Sequence, residues 1–304
     1  MEIAKAVNEK RGIGIDIGGT NIAIGLFSPE GDILDSTTIA TNANAPFKEV
    51  EKGLFLAVDT LLGSNIELLG IGIGCTGPLD TNQGVIHNPY TLPGWGAVPI
   101  REIFQKRYNC NVQLENDANC ALLGEVFARR GEESVRNALM LTFGTGVGGA
   151  VLINGQLFKS DTFGHPEFGH ILVALGGEEC YCGEAGCLES VASDSALSKK
   201  AKLLGFYDFH DLVKKGGLLT KGEAIVEEWS TAVSRALWTF AHIFSPSLVL
   251  FTGGVVESLF EIAKPRIIKN MERGHFYGDF TLERSILGID AGVVGAATLI
   301  LLWL

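Results

Sequence analysis

The sequence predicts an α/β protein built from two ribonuclease H-like halves with an interdomain cleft. Three observations predict it. The chain has 304 residues, enough for two domains of ordinary size. Its first half reads as three strands joined by tight turns, then a helix, then another strand, which is the order of that core. A strand–glycine turn–strand unit then occurs twice, at Gly18–Thr20 and at Gly144–Gly146, as an internal duplication would produce.

Gly12–Ile17 and Asn21–Phe27 are the first two strands, with Gly18, Gly19 and Thr20 between them. No G-x-x-x-x-G-K-[ST] run leads into a helix here, so the turn is not a Walker loop. A glycine pair lets backbone N–H groups approach phosphate oxygens, Thr20 and Asn21 add donors, and Asp16 suits Mg²⁺ directly or through water. The competing reading is an ordinary hairpin with a capping aspartate. Ile33–Ala40 is a third strand. Phe47–Leu62 places Val50, Leu54, Val58 and Leu61 at helical spacing, with Lys48, Glu49, Glu51 and Lys52 opposite. Leu68–Gly74 alternates glycine with leucine or isoleucine and reads as a buried strand.

Cys75–Gly96 is a long loop rich in Gly, Pro and Asn, a length that usually carries function. Trp95 within it suits either a sugar face or a hydrophobic plug. Pro99–Tyr108 is a short helix, Val112–Glu115 a strand and Asp117–Arg130 a helix. Asn116 and Asp117 therefore sit where a strand ends and a helix begins. Both are preferred N-caps, yet ligands of open α/β sheets also bind beyond the carboxyl ends of strands.

Arg136–Phe143 and Val147–Ile153 flank Gly144, Thr145 and Gly146. The letters G-x-G-x-x-G occur at Gly144–Gly149, but a strand follows where a dinucleotide site requires a helix, so that assignment is rejected. Two such turns facing across a cleft would hold one triphosphate, and a β-carbon branch at Gly146 would fill space meant for phosphate. Asp194–Leu204 and Thr220–Phe244 are helices, the second with apolar Ile225, Trp229, Val233, Leu237 and Phe240. Ser247–Phe251 is a strand. Gly253 and Gly254 then turn into another helix, suiting close approach of adenine and ribose or merely a helix entry. Ala291–Leu304 is a terminal helix.

Between these elements, Gly164–Ser190 packs His170, Cys180, Cys182 and Cys187 together, with Glu167 before and Glu189 after. Cys₃His matches tetrahedral Zn²⁺, and four protein ligands leave no open position, so the metal is expected to be structural. Gly183 and Gly186 supply the tight turn that lets Cys182 and Cys187 reach one ion. The alternative is three unliganded cysteines and an unrelated histidine.

Composition narrows the function. Hydrophobic residues make up 46% and charged residues 19%, as in a packed soluble protein. A net charge of −11 without a basic run argues against a nucleic-acid surface. The first eleven residues carry Glu2, Lys5, Glu9, Lys10 and Arg11 without an apolar core, so no signal peptide is expected. Gly292–Leu304 is shorter than the ~20 residues of a membrane span. Six cysteines without a secretory signal favour reduced thiols and metal over disulfides, and a cytoplasmic location. Cys75, Cys110 and Cys120 are read as having no role.

The motifs DIGGT at Asp16–Thr20, ENDAN at Glu115–Asn119, GTGVGG at Gly144–Gly149 and HPEFGH at His165–His170, with the cysteine cluster and Gly253-Gly254, come in the order found in the ROK family. From Gly14 to about Gly295 the chain resembles that family of sugar kinases and sugar-responsive repressors. The resemblance implies the actin, hexokinase and Hsp70 superfamily, which uses the ribonuclease H-like core twice. It implies a smaller domain of 1–117 plus about 291–304, a larger domain of 118–290, a hinge near Glu115–Asn119 and a homodimer. It implies an ATP-dependent hexose kinase using Mg²⁺, with Asp117 as the base. Gly77 and the Asn88–Trp95 loop would line the sugar pocket, and Asn116, Glu167, His170 and Glu189 would bond the sugar hydroxyls. One nitrogen of His170 would then bind zinc and the other a sugar hydroxyl. C-x-C-G-x-x-G-C resembles the glucokinase branch, whereas His165-Pro166-Glu167 resembles the fructokinase-like one. Glucose is the first substrate expected, with fructose, mannose or an N-acetylated hexosamine as competitors. A repressor would carry a helix-turn-helix domain ahead of the first strand, where only about a dozen residues stand. A sugar-binding regulator without turnover is the remaining alternative.

Overall fold

A computed structural model describes residues 9–64, 66–130, 135–159, 166–272 and 280–301. His165 of the H-P-E segment and the last three residues of the expected terminal helix lie outside the described residues. The chain divides into two compact units, Met1–Glu133 with Lys159–His165 and Ile289–Leu304, and Ser134–Phe158 with Pro166–Gly288.

In the first unit, β1 (Glu9–Ile17), β2 (Asn21–Phe27), β3 (Ile33–Ala40), β4 (Ile66–Cys75) and β7 (Asn111–Asn116) form one sheet in the order β3-β2-β1-β4-β7. The first three strands are antiparallel, and β1, β4 and β7 run parallel. The helices of this unit are α1 (Phe47–Leu62), α2 (Ile100–Tyr108), α3 (Asp117–Ala128) and α9 (Ala291–Leu301). Alternation of glycine and isoleucine in β1 and β4 decides what covers each face. Ile13, Ile15, Ile17, Ile71 and Ile73 join Val50, Leu54, Val58 and Phe104 in one core cluster. On the opposite face a β-carbon at Gly14 would strike the Val293 carbonyl, and one at Gly72 the Ala296 carbonyl. Helix α9 thus lies backbone-to-backbone on the sheet. It meets α3 in the same way, with Gly124 against the Ala291 carbonyl and Gly295 against the Cys120 carbonyl. A methyl group at any of these positions would overpack the seam, at ~1–3 kcal/mol.

Strand β1 begins at Glu9 rather than Gly12, because Glu9 and Lys10 continue the ladder opposite Ile66 and Glu67. Charged residues at a sheet end leave no apolar alternation to read. The Cys75–Gly96 loop contains a hairpin of β5 (Leu79–Asp80) and β6 (Val85–Ile86). Helix α3 ends at Ala128, two residues before the expected Arg130.

In the second unit, β8 (Ala138–Phe143), β9 (Val147–Ile153), β10 (Gln156–Leu157), β11 (Leu248–Thr252) and β12 (Thr281–Arg284) order as β10-β9-β8-β11-β12. Counted along the chain, both sheets run third, second, first, fourth, fifth. Strand β12 has four residues and no flanking pattern, which hid it from the sequence reading. The helices here are α4 (Leu188–Ala192), α5 (Asp194–Leu203), α6 (Phe209–Lys214), α7 (Glu223–Phe244) and α8 (Gly254–Met271). Helix α7 buries Ile225, Trp229, Val233, Leu237 and Phe240 as its spacing predicts. Trp229 is fully buried, and its indole N–H donates to the Ala192 carbonyl at 3.0 Å, satisfying the polar end of the ring. Among the described residues no helix is long and apolar enough to cross a membrane.

Candidate active site

The parallel strands of the first unit end together, with Asp16 paired to Gly74, and Cys75 to Asn116. Their carboxyl ends gather Asp16, Gly77, Asn116 and Asp117. Asn116 is the N-cap of α3: its Oδ1 accepts from the N–H groups of Ala118 at 3.0 Å and Asn119 at 3.3 Å. Asp117 is therefore the first helical residue and not the cap; its Oδ1 accepts from the Ala118 N–H at 2.8 Å. Burial, and next the negative charge of Asp117, push the Asp16 carboxyl up to about 7. The hard oxygen donors of Asp16, with the negative charge of Asp117 near it, fit Mg²⁺. The thiols of Cys75 and Cys120 lie in the same field, raised by burial and by these carboxylates, and stay neutral.

At the first glycine turn the Gly18 N–H donates to the Asn21 carbonyl at 3.0 Å, and Thr20 and Asn21 are exposed. A β-carbon at Gly19 would come within 2.7 Å of the Thr91 methyl. The long loop is thus seated on the turn. Asn88, 1% exposed, holds it there. Its Nδ2 donates to the carbonyls of Thr76 at 3.1 Å and Gly77 at 2.6 Å, and its Oδ1 accepts from the Tyr90 and Thr91 N–H groups. Trp95 resolves as a plug: it is 5% exposed and packs on Phe47 at 4.9 Å between ring centroids.

In the second unit the Gly144 N–H donates to the Gly146 carbonyl at 3.0 Å, repeating the inward bond of the first turn. The start of α5 braces the turn, with the Asp194 N–H donating to the Gly144 carbonyl and Ser195 Oγ to the Thr145 carbonyl. Gly253 has φ of 104°, and a β-carbon there would strike the Phe143 carbonyl. This places the N-terminal end of α8 against the end of β8. Asp194 and His210, 3.3 Å apart, were not singled out by the sequence. His210 also lies beside Gly254. No spacing pattern announces that pair.

The space beside the Gly146 α-carbon is taken by a side chain of the same unit. A β-carbon on Gly146 would collide with Oε2 of Glu189, the oxygen that accepts from the Val147 N–H at 2.7 Å. Gly144, in contrast, faces open space.

His170, Cys180, Cys182 and Cys187 bring their ligand atoms within 4.8 Å of one another. The sulfurs of Cys182 and Cys187 are 3.6 Å apart. That is far beyond a disulfide of ~2.05 Å and near the ~3.8 Å separating two sulfurs on tetrahedral zinc at ~2.3 Å. Gly183 and Gly186 have φ of 97° and 89°, so the tight turn between these cysteines requires them. The donor set and spacing fit a closed Zn²⁺ shell.

His170 turns Nδ1 toward Cys180 Sγ at 3.5 Å and Nε2 toward Tyr181 Oη at 3.0 Å. The two nitrogens thus face different partners, a thiol on one side and a tyrosine hydroxyl on the other. Tyr181 also bonds Glu189, and burial, then the charges of Glu189 and Glu167, push its hydroxyl up to about 12. Glu167, His170, Tyr181 and Glu189 thus form one polar cluster. Tyr181 was missed by the sequence reading, although it stands between Cys180 and Cys182, two of the candidate metal ligands.

The family model described as ROK family matches residues 12–302. The chain is 32% identical over 313 residues to a glucokinase of Thermotoga maritima, covering 95% of this chain and 96% of that one. A crystal structure of a ROK hexokinase from Thermus thermophilus superposes with a TM-score of 0.82 at 30% identity, covering 94% of this chain and 96% of that one. A ROK glucokinase from Streptomyces griseus, crystallised with glucose and AMPPNP, gives 0.73 at 28% identity, covering 95% and 98%. These likenesses show an actin/hexokinase-like fold.

Proposed function

The chain belongs to the ROK family, and from that membership we propose that it is an ATP-dependent hexose kinase converting glucose to glucose 6-phosphate. The observation that carries the reading is Asp117 beside Asp16 at the carboxyl ends of β7 and β1. Phosphoryl transfer to a hydroxyl requires positioning, neutralisation of phosphate charge and a base for the hydroxyl proton. Asp117 is the base, fixed at the first position of α3 by its bond to the Ala118 N–H. Asp16 would hold Mg²⁺, which when bound neutralises charge on the phosphates.

Thr20, Asn21, Gly18, Gly19 and the Gly144–Gly146 turn bind the phosphates; Gly253 and Gly254 receive the nucleoside, with the N-terminal end of α8 as an added anion donor. Asn116, Gly77, Glu167, His170 and Glu189 read the sugar. Tyr181 Oη occupies the His170 and Glu189 positions that a sugar hydroxyl would take. His170, Cys180, Cys182 and Cys187 would hold a structural Zn²⁺, and His170 bound in this way would keep its ring and tautomer fixed beside Tyr181 and Glu189. A homodimer is the assembly that the family resemblance carries, and light scattering tests it.

A panel of glucose, fructose, mannose and N-acetylated hexosamines with ATP and Mg²⁺, followed by ADP release, tests the function. Glucose is expected to give the highest kcat/KM. A different sugar in first place would move the specificity and leave the chemistry. Absence of sugar-dependent ADP release from every member would favour a non-catalytic sugar-responsive regulator.

A further inference from the structure

Beside Asn116 lies a buried charge that the mechanism above does not use. Glu115 closes β7 and is 1% exposed. Its Oε1 accepts two hydrogen bonds, from the Asn116 N–H at 2.9 Å and from Asn119 Nδ2 at 2.9 Å. Its Oε2 pairs with the ammonium of Lys159, whose side chain is 49% exposed. Asn119 is fully buried and sits in the first turn of α3. The carboxylate therefore grips that turn at two points, one on either side of Asp117 in sequence.

We infer that Glu115 and Lys159 form a charge clamp that positions Asp117. The inference rests on Asp117 as the base of the proposed kinase. A buried carboxylate is tolerated only while its charge is compensated. Lys159 supplies the one cation paired with it among the described residues. With that cation removed, the Glu115 carboxylate loses its compensating charge and is drawn toward water, which weakens its hold on Asn116 and Asn119. Asn116 is also the helix cap, through the same Ala118 N–H that bonds Asp117. Loss of the clamp therefore reaches the base through the Ala118 N–H that Asn116 and Asp117 share. The effect of the pair is on the aim of the base.

Lys159→Met tests this, since it keeps the apolar stem and removes the charge at a half-exposed site. Misplacement of a reacting group by about an ångström can cost on the order of 100-fold, so kcat is expected to fall about 10- to 100-fold. The sugar KM should change less than ~3-fold, because the lost interaction concerns the transition state. Lys159→Arg should restore most of the loss. Amide exchange at Ala118 and Asn119 should quicken in Lys159→Met, while β2 stays protected. A lowered melting temperature with unchanged kcat would make the pair merely structural and overturn the inference, as would unchanged exchange at both amides. If the wild type turns over no sugar, the kinase reading fails by itself, and the exchange measurement still decides whether Lys159 holds the turn around Asp117.

Discussion

Oε2 of Glu189 accepts a hydrogen bond from the Val147 N–H at 2.7 Å, and in doing so it fills the space beside Gly146. A carboxylate assigned to the sugar is thereby fastened to the turn assigned to phosphate, and the two glycines of that turn become different probes. Gly144→Ala adds a methyl group where the protein has nothing within 4 Å. It should leave the fold and sugar affinity intact and raise the KM for ATP by about 10-fold, a steric loss of ~1–3 kcal/mol. Gly146→Ala should push Glu189 aside and weaken sugar binding as well. Kinetics with both substrates on the two variants checks this; equal effects on sugar from both would refute the assignment.

Asp117→Asn should sharply reduce turnover with little change in binding. The cap of α3 is Asn116, so the substitution leaves it in place. An amide still bonds a sugar hydroxyl but cannot accept its proton. General-base contributions run roughly 10²–10⁴-fold, so kcat should fall by that factor while the sugar Kd moves less than ~10-fold. Turnover near the wild-type value would remove Asp117 as the base.

Much of this was legible in the sequence because each signal was local. The glycine–isoleucine alternation of β4, the apolar stripe of α7 and the C-x-C-G-x-x-G-C run each carry their reason within a short window. What stayed hidden depended on distant partners. Nothing near Lys159 names Glu115, nothing near Gly146 names Glu189, and Trp95 became a plug only when Phe47 stood beside it. Strand edges were missed for a related reason: Glu9 and Lys10 continue the ladder opposite Ile66 and Glu67 of β4, which lie far along the chain.

Cys182→Ser should release the metal. Cys182 is exposed, so the substitution opens no hole in the core, and any loss of stability reports the ion. Structural zinc in small peptides is worth ~10 kcal/mol of folding free energy, with less expected inside a larger domain. The wild type should contain about one Zn²⁺ per chain by elemental analysis, as a four-ligand site implies. The variant should contain almost none and melt several degrees lower. Zinc-free wild type prepared without chelators would defeat the assignment.

Asp16 gives the protein a pH dependence whose sign follows from its surroundings. Burial, and then the charge of Asp117, lift its carboxyl from 3.8 to about 7 in the folded state. In the unfolded chain it returns to the ordinary value near 3.9. Between these values the folded protein binds a proton that the unfolded chain has released, so stability falls as pH rises. The contribution is fully present below about pH 4 and is lost as pH passes about 7. Denaturant melts of metal-free, nucleotide-free protein at several pH values across this window should show the decline. Asp16→Asn cannot titrate there, and the difference between wild type and variant should carry the slope. Asp117→Asn removes the second cause while leaving burial in place, so the upper edge of the window should move down without closing it. Parallel pH profiles for the wild type and Asp16→Asn would mean that the carboxyl is not held protonated by its site.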